Sequence, residues 1–275
     1  NFTNEKSGRI ALSIDRLDYS KGILERIRAF ELLLQLHPKF IGEISLFMIV
    51  VPSRDTVPQY KELKERIDQL VGNINAKYRT LDWVPINYFY RSFSIETLSA
   101  MYSVADICLV TPMRDGMNLV SKEYVASRRD DTGVLILSEM AGASKELNDA
   151  IIVNPNNIGD IMNAIVEALT MPVEEQKRRM QLMRALVSKF NVKRWVSNFL
   201  ARMDDAKLLQ HSLKTKHATN KVSQGIISRY AATQNRIIFL DYDGTLVGFK
   251  ANIDEASPDE ELLKLLSDFS KDPHN

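Results

Sequence analysis

A doubly wound α/β domain built on a parallel sheet is the fold this sequence predicts, and three observations carry it. Short continuous apolar runs recur: "IALSI" (10–14), "ISLFMIVV" (44–51), "DICLVT" (106–111), "VLILS" (134–138) and "AIIVN" (150–154). Patterns of helical period separate these runs, so strand and helix alternate. The composition, 45% hydrophobic and 26% charged over 275 residues, supplies a core for one large domain or two modest ones.

Each run lacks the polar alternation of a half-exposed strand, which suits parallel strands covered on both faces. The first helix, expected over 22–36, sets Ile23, Ile27, Phe30 and Leu34 on one face and leaves Arg26, Arg28 and Glu31 elsewhere. Further helices are expected over 57–79, 94–103 and 119–129. From 158 to 206 the pattern is wholly helical. "RRMQLMRAL" (178–186) reads there as amphipathic packing, Asn191 reads as an N-cap, and Trp195 and Phe199 lie four apart on one face. That aromatic face is either core or a docking surface, and left uncovered it implies self-association. The passage "LLQHSLKTKHATNKVSQG" (208–225) is polar and strand-free. "RIIFLDYDGTL" (236–246) then opens a new strand and turn, with a helix expected from about Ser257-Pro258. The expected organisation is a domain over 1–207, a linker over 208–234 and a truncated second α/β segment over 235–275. Asn1 rather than Met opens the sequence, as in a processed chain or a piece of a longer one.

A formal net charge of +1 gives no global field for nucleic acid or for an anionic membrane. No apolar stretch reaches the length of a membrane span, and no signal-peptide pattern is present. Cys108, the sole cysteine, sits inside an apolar run and reads as a small core residue. A chain without an intrachain disulfide suits a reducing, cytoplasmic compartment. His37 and His217 stand in polar settings, and neither reads as a ligand.

Ligands of doubly wound sheets bind at the carboxyl ends of the strands. Three of the loops there carry chemistry. In "SIDRLDYSKGI" (13–23), Arg16 and Lys21 are five apart across a turn that leads into a helix. An arginine fork, a lysine point charge and helix-start amides near Gly22 would suit a diphosphate, though on spacing alone solvated loop charges are the simpler reading. In "VPSRDTVPQY" (51–60), Arg54 precedes a helix start, where a surface ion pair is the simpler reading. In "TPMRDGMNLVSKEY" (111–124), Pro112 stops the strand and Asp115-Gly116 turns the chain. The amides of Met117 to Val120 then fall in a first helical turn, with Glu123 further in. A cap by Asp115 explains that residue but not the clustering of Arg114, Asn118, Lys122 and Glu123.

The segments "DRLDYSKG", "VPSR", "TPMRDGMNLVSKEYVA" and "LDYDGTL" together resemble the trehalose-6-phosphate synthases, retaining GT-B glycosyltransferases of family 20, joined to a trehalose-phosphate phosphatase. The resemblance covers almost the whole chain. It implies the Rossmann-like, donor-binding, carboxyl-terminal half of a GT-B enzyme, followed by the opening of a haloacid-dehalogenase-like domain. The implied substrates are UDP-glucose and glucose 6-phosphate.

By that resemblance Arg16 and Lys21 grip the donor diphosphate, and Asp115 holds hydroxyls of the glucose in transit. Gly116, Met117, Asn118, Leu119 and Val120 line the donor with backbone groups, Glu123 takes the ribose, and Arg54 reaches the phosphate of glucose 6-phosphate. Transfer in the family needs no metal and proceeds on one face without a protein nucleophile. The family's amino-terminal half is not in this sequence, which implies weak nucleotide binding and little transfer by the polypeptide alone. Asp241 and Asp243 match the nucleophile and the general acid/base of the phosphatase, and would hold its Mg²⁺. That family's later motifs do not follow, so the implied phosphatase site is incomplete. Two other readings stay open: phosphatase activity of the fused parent, and a nucleotide-sugar-binding module without catalysis.

Overall fold

The computed structural model describes residues 8–53, 57–212, 218–250, 252 and 255–275. It divides into two compact units, Asn1–Ala201 and Arg202–Asn275, with the division falling inside one long helix. In the first unit the order is β1 (Arg9–Arg16), α1 (Ile23–Leu36), β2 (Ile44–Val51), α2 (Pro58–Tyr78), β3 (Ile86–Phe89) and α3 (Ile95–Val104). There follow β4 (Ile107–Val110), α4 (Leu119–Ser127), β5 (Val134–Ser138), β6 (Ile151–Val153), α5 (Ile158–Thr170), α6 (Val173–Lys189) and the start of α7 (Val192–Ser212).

The six strands form one sheet in the order β3-β2-β1-β4-β5-β6, and every pairing is parallel. Successive strand residues face opposite ways, so the continuous apolar runs feed two cores. Ala11, Leu46, Met48, Ile107 and Leu109 pack under α1, α2 and α5. Leu12, Ile14, Ile49, Cys108 and Val110 pack under α3, α4 and α6. Each fully buried leucine or isoleucine contributes about 1.5–3 kcal/mol relative to exposure. Cys108 is buried, and burial pushes its thiol well up, which keeps it inert. Met180 and Met183 are buried in the second core, so the methionine-rich stretch is packing. Asn191 caps α7 by accepting from the Arg194 amide at 3.2 Å.

Two features depart from the sequence reading. The edge strand β3 was not foreseen, because Ile86–Phe89 is half-buried and shows no apolar run. Asn75 of α2 anchors it, accepting from the Ile86 amide at 3.0 Å and donating to the Ile86 carbonyl at 2.9 Å. Arg26 does not lie on the outer face of α1. It is fully buried, because four polar groups of the sheet and its loops satisfy its guanidinium.

The second unit holds the end of α7, α8 (Asn220–Ala232) and α9 (Glu260–Lys271). The expected linker over 208–234 is therefore largely helical. It contains no proline, and its side chains propagate helix readily enough to carry one glycine. Asp259 caps α9 through the Leu262 amide at 2.8 Å. The strand expected at 236–240 does not form, because no other strand among the described residues of this unit satisfies its backbone. Ile237 and Phe239 are instead exposed. No described helix is long and apolar enough to cross a membrane.

Candidate functional site

Strand order reverses between β1 and β4, because the chain winds outward from β1 through β2 to β3 and then returns to β4 on its other side. The loops leaving these two central strands diverge and open a crevice at their carboxyl ends. Arg16 ends β1, pairs with Val51 of β2 through its backbone and is exposed, and its side chain has no hydrogen bond or ion pair to the described residues. Asp18 then caps a short helical turn, Tyr19–Lys21, by accepting from the Ser20 amide at 2.8 Å. Tyr60 of α2 also donates its hydroxyl to Asp18 at 3.2 Å. Partial burial would raise the Asp18 carboxyl, but these bonds and the Lys21 charge hold it below the usual carboxylate range.

The turn delivers Lys21 to the opposite lip, where its ammonium meets Asp115 Oδ2 at 2.6 Å. Asp115 Oδ1 accepts from the Met117 amide at 3.3 Å, and Oδ2 accepts from Asn118 Nδ2 at 3.2 Å. Burial would lift the Asp115 carboxyl. Lys21, the Met117 amide and Asn118 outweigh burial and hold the group below its ordinary value. A depressed folded value means that the pair stabilises the fold above the unfolded carboxylate pKa of about 3.9 and that this contribution is lost as pH falls through the folded value. Asp115→Asn is therefore expected to lower the urea midpoint at pH 7, with the gap to the parent protein closing in the acid range below about pH 4. An equal gap at both pH values would contradict the pairing.

Asn118, not Asp115, caps α4. Its side chain accepts from the Ser121 amide at 3.0 Å, and its own backbone sits at φ 76°. Left-handed backbone is costly for a residue with a side chain, and here the Asp115 and Ser121 bonds hold it in place. The Met117 amide is occupied by Asp115, so the free amides of the first turn are those of Leu119 and Val120. Glu123, one turn further in, accepts from the buried Tyr102 hydroxyl at 2.9 Å. Lys122 turns away and pairs with Glu146 at 2.7 Å. Arg54 lies outside the described residues.

Sequence reasoning missed two supports of this crevice. Arg26 donates from Nε to Thr111 Oγ1 at 3.0 Å, from NH1 to Ser13 Oγ and to Asp15 Oδ2 at 2.7 Å, and from NH2 to the Lys21 carbonyl at 3.0 Å. The loop after β5 braces the Asp115 turn from beneath. The Gly142 amide donates to the Asp115 carbonyl at 2.9 Å, and the Ala143 amide donates to the Met117 carbonyl at 2.8 Å. A Cβ at Gly142 would collide with the Gly116 carbonyl, so only glycine permits that approach. The sole signal for this brace was the glycine in "MAGAS" (140–144) after a strand end.

In the second unit Asp241 and Asp243 are exposed beside a turn in which the Gly244 amide donates to the Val247 carbonyl at 2.7 Å. Asp241 Oδ2 accepts from Thr245 Oγ1 at 2.7 Å. Among the described residues no group of three or more His, Cys, Asp or Glu side chains converges on this pair.

The arrangement can hold an elongated ligand bearing a dianionic centre between hydroxyl-rich groups. A lysine meets a carboxylate across the crevice beside a helix start, and an exposed arginine ends the neighbouring strand. The profile of Glycosyltransferase family 20 matches residues 2–205. The chain is 46% identical over 261 residues to the bifunctional trehalose-6-phosphate synthase/phosphatase of Thermoproteus tenax, covering 94% of this chain and 36% of that protein. Among solved structures, an alpha,alpha-trehalose-phosphate synthase from Burkholderia xenovorans in complex with glucose-6-phosphate superposes with a TM-score of 0.71 at 39% identity. That match covers 72% of this chain and 44% of the other. The Escherichia coli protein bound with UDP-2-fluoro glucose superposes with a TM-score of 0.70 at 39% identity, over 71% of this chain and 44% of that one. The chain thus spans less than half the length of each of these relatives.

Proposed function

Because this chain belongs to glycosyltransferase family 20, we propose that its six-stranded unit holds the nucleotide-sugar donor for trehalose 6-phosphate synthesis. The reaction transfers glucose from UDP-glucose to glucose 6-phosphate with retention and releases UDP. One observation carries the reading: the Lys21 ammonium meets Asp115 beside the α4 start across the β1/β4 crevice, and Arg16 ends β1 exposed.

In this reading the diphosphate lies against Arg16, Lys21 and the Leu119 and Val120 amides. As the bond from glucose C1 to the diphosphate oxygen breaks, negative charge grows on that oxygen, and the two cations stabilise it without a metal ion. The acceptor hydroxyl attacks C1 on the same face, and its proton passes to the departing phosphate oxygen. Asp115 accepts from hydroxyls of the glucose, so Lys21 is shared between carboxylate and phosphate. Glu123, oriented by Tyr102, accepts from the ribose. Arg54 is assigned to the phosphate of the acceptor on its sequence motif alone. The remainder of the acceptor pocket belongs to parts of the whole protein other than this crevice. The name of the Thermoproteus tenax relative, aligned over most of this chain, supports reading Asp241 and Asp243 as the opening of a phosphatase domain of the whole protein. The lone buried Cys108 suits a cytoplasmic setting.

Calorimetric titration of UDP and UDP-glucose into the 275-residue chain tests the donor site. Arg16→Ala and Lys21→Ala should each weaken binding by about tenfold or more, the worth of one charge-assisted hydrogen bond. Unchanged affinity in both variants would overturn the diphosphate assignment.

Self-association is also proposed, on α7. Trp195 and Phe199 stack with ring centroids 5.5 Å apart, yet are 56% and 52% exposed. Sedimentation velocity should show a dimer that the double variant Trp195→Ala, Phe199→Ala dissociates. A concentration-independent monomer would count against it.

A further inference from the structure

We propose that Arg26 is a positioning residue for donor binding: through the Lys21 carbonyl and the Thr111 hydroxyl it holds the two lips of the crevice at their working separation. The inference rests on the donor-binding reading above and adds a residue to it. Arg26 touches no ligand in that reading.

The charge at this position is not explained by stability. Arg26 is among the largest fully buried side chains of the protein and sits at a core position of α1. Well-packed hydrophobes in place of both Arg26 and Asp15 can serve a fold as well as a buried ion pair, because desolvating two charges offsets their attraction. What a hydrophobe lacks is direction. The guanidinium is a planar fork with five donors in fixed geometry. Here it reaches Ser13 and Asp15 on β1, the Lys21 carbonyl in the loop that leaves β1, and Thr111 directly after β4.

Three of these partners lie on the segments that carry the donor site. Asp15 precedes Arg16 in the strand. Lys21 is held by its own carbonyl while its ammonium spans to Asp115 at 2.6 Å. Thr111 begins the loop that carries Asp115. The two loops are joined above Arg26 as well, where the Met113 amide donates to the Ser20 carbonyl at 2.8 Å. Arg26 thus forms the floor of the crevice, and the Lys21–Asp115 pair forms its rim. A lysine at 26 would keep the counter-charge for Asp15, but its single nitrogen cannot serve four partners spread over two strands and a loop.

Calorimetric titration of UDP into the full chain, using Arg26→Lys, Lys21→Ala and the double variant, tests this. Arg26→Lys should melt within about 5 °C of the parent. It should bind UDP about tenfold more weakly, as displaced binding groups do. The double variant should bind no more weakly than Lys21→Ala, because Arg26 acts through Lys21 and the losses do not add. Should Arg26→Lys fail to fold, Thr111→Val removes a single bond at constant size. It should weaken UDP binding by about threefold, again without effect in the Lys21→Ala background. Parent-like affinity in Arg26→Lys or in a substituting Thr111→Val, or losses that add fully to that of Lys21→Ala, would overturn the proposal while leaving the donor site standing. Unchanged affinity in Lys21→Ala would overturn both.

Discussion

Arg26→Met is expected to cost about 3–5 kcal/mol of folding stability, the penalty for leaving a buried charge without its partner. The charge stranded is that of Asp15, whose carboxylate accepts from Arg26 at 2.7 Å inside the sheet. Burial pushes the Asp15 carboxyl above its usual range even with Arg26 and then Lys21 opposing that push. A group whose folded pKa is raised above its unfolded value contributes stability that is present at low pH and lost as pH rises through the folded value. Without Arg26 the upward push is opposed by the Lys21 charge alone. The variant should therefore be weakest at neutral and alkaline pH and should recover as acid protonates Asp15. Urea unfolding at pH 8 and pH 5 reads this directly, and adding Asp15→Asn to the methionine variant should restore part of the loss at pH 8. A methionine variant within about 1 kcal/mol of the parent at pH 8 would show that the pair is not buried as described.

The second large effect is expected at Gly22. This residue joins the Tyr19–Lys21 turn to α1 at φ 63° and ψ 32°, where any other L-residue costs about 1–2 kcal/mol. A Cβ there would also overlap the Thr111 carbonyl oxygen, a backbone atom that cannot rotate aside. Gly22→Ala must therefore push the loop after β1 away from the loop after β4. The expected result is about 3 kcal/mol of lost stability, with UDP affinity falling by more than tenfold because Lys21 is the adjoining residue. Unfolding curves and titration of the same sample separate the two effects. Parent-like affinity would mean that the crevice tolerates a wider opening than this geometry allows.

Gly22 also shows how far the sequence could be read. A lysine and glycine between a strand and a helix marked an anion-binding turn, but a glycine there says only that the backbone is unusual. That it lies against the Thr111 carbonyl follows from the parallel pairing of β1 with β4, strands about a hundred residues apart in the chain. The edge strand β3 escaped notice for a related reason. Only Ile86 of its four residues is fully buried and the strand stands in no apolar run, and its place is fixed by Asn75 and by pairing with β2.

What the sequence determined by itself is what local period and residue chemistry encode. Continuous apolar runs separated by amphipathic ones dictate a parallel sheet covered on both faces. The motifs "DRLDYSKG" and "RDGMNLVSKEY" carry their cations, carboxylates and helix start wherever the fold puts them. The tertiary structure alone decided which groups meet. It paired Lys21 with Asp115, residues 94 positions apart, and gave the cap of α4 to Asn118. It also drew Arg26 from the polar side of an amphipathic helix into the floor of the crevice. The physical reason is common to all three. Hydrophobic period reports which face of an element leaves water, whereas a buried polar group is placed by partners that only the strand order brings within reach.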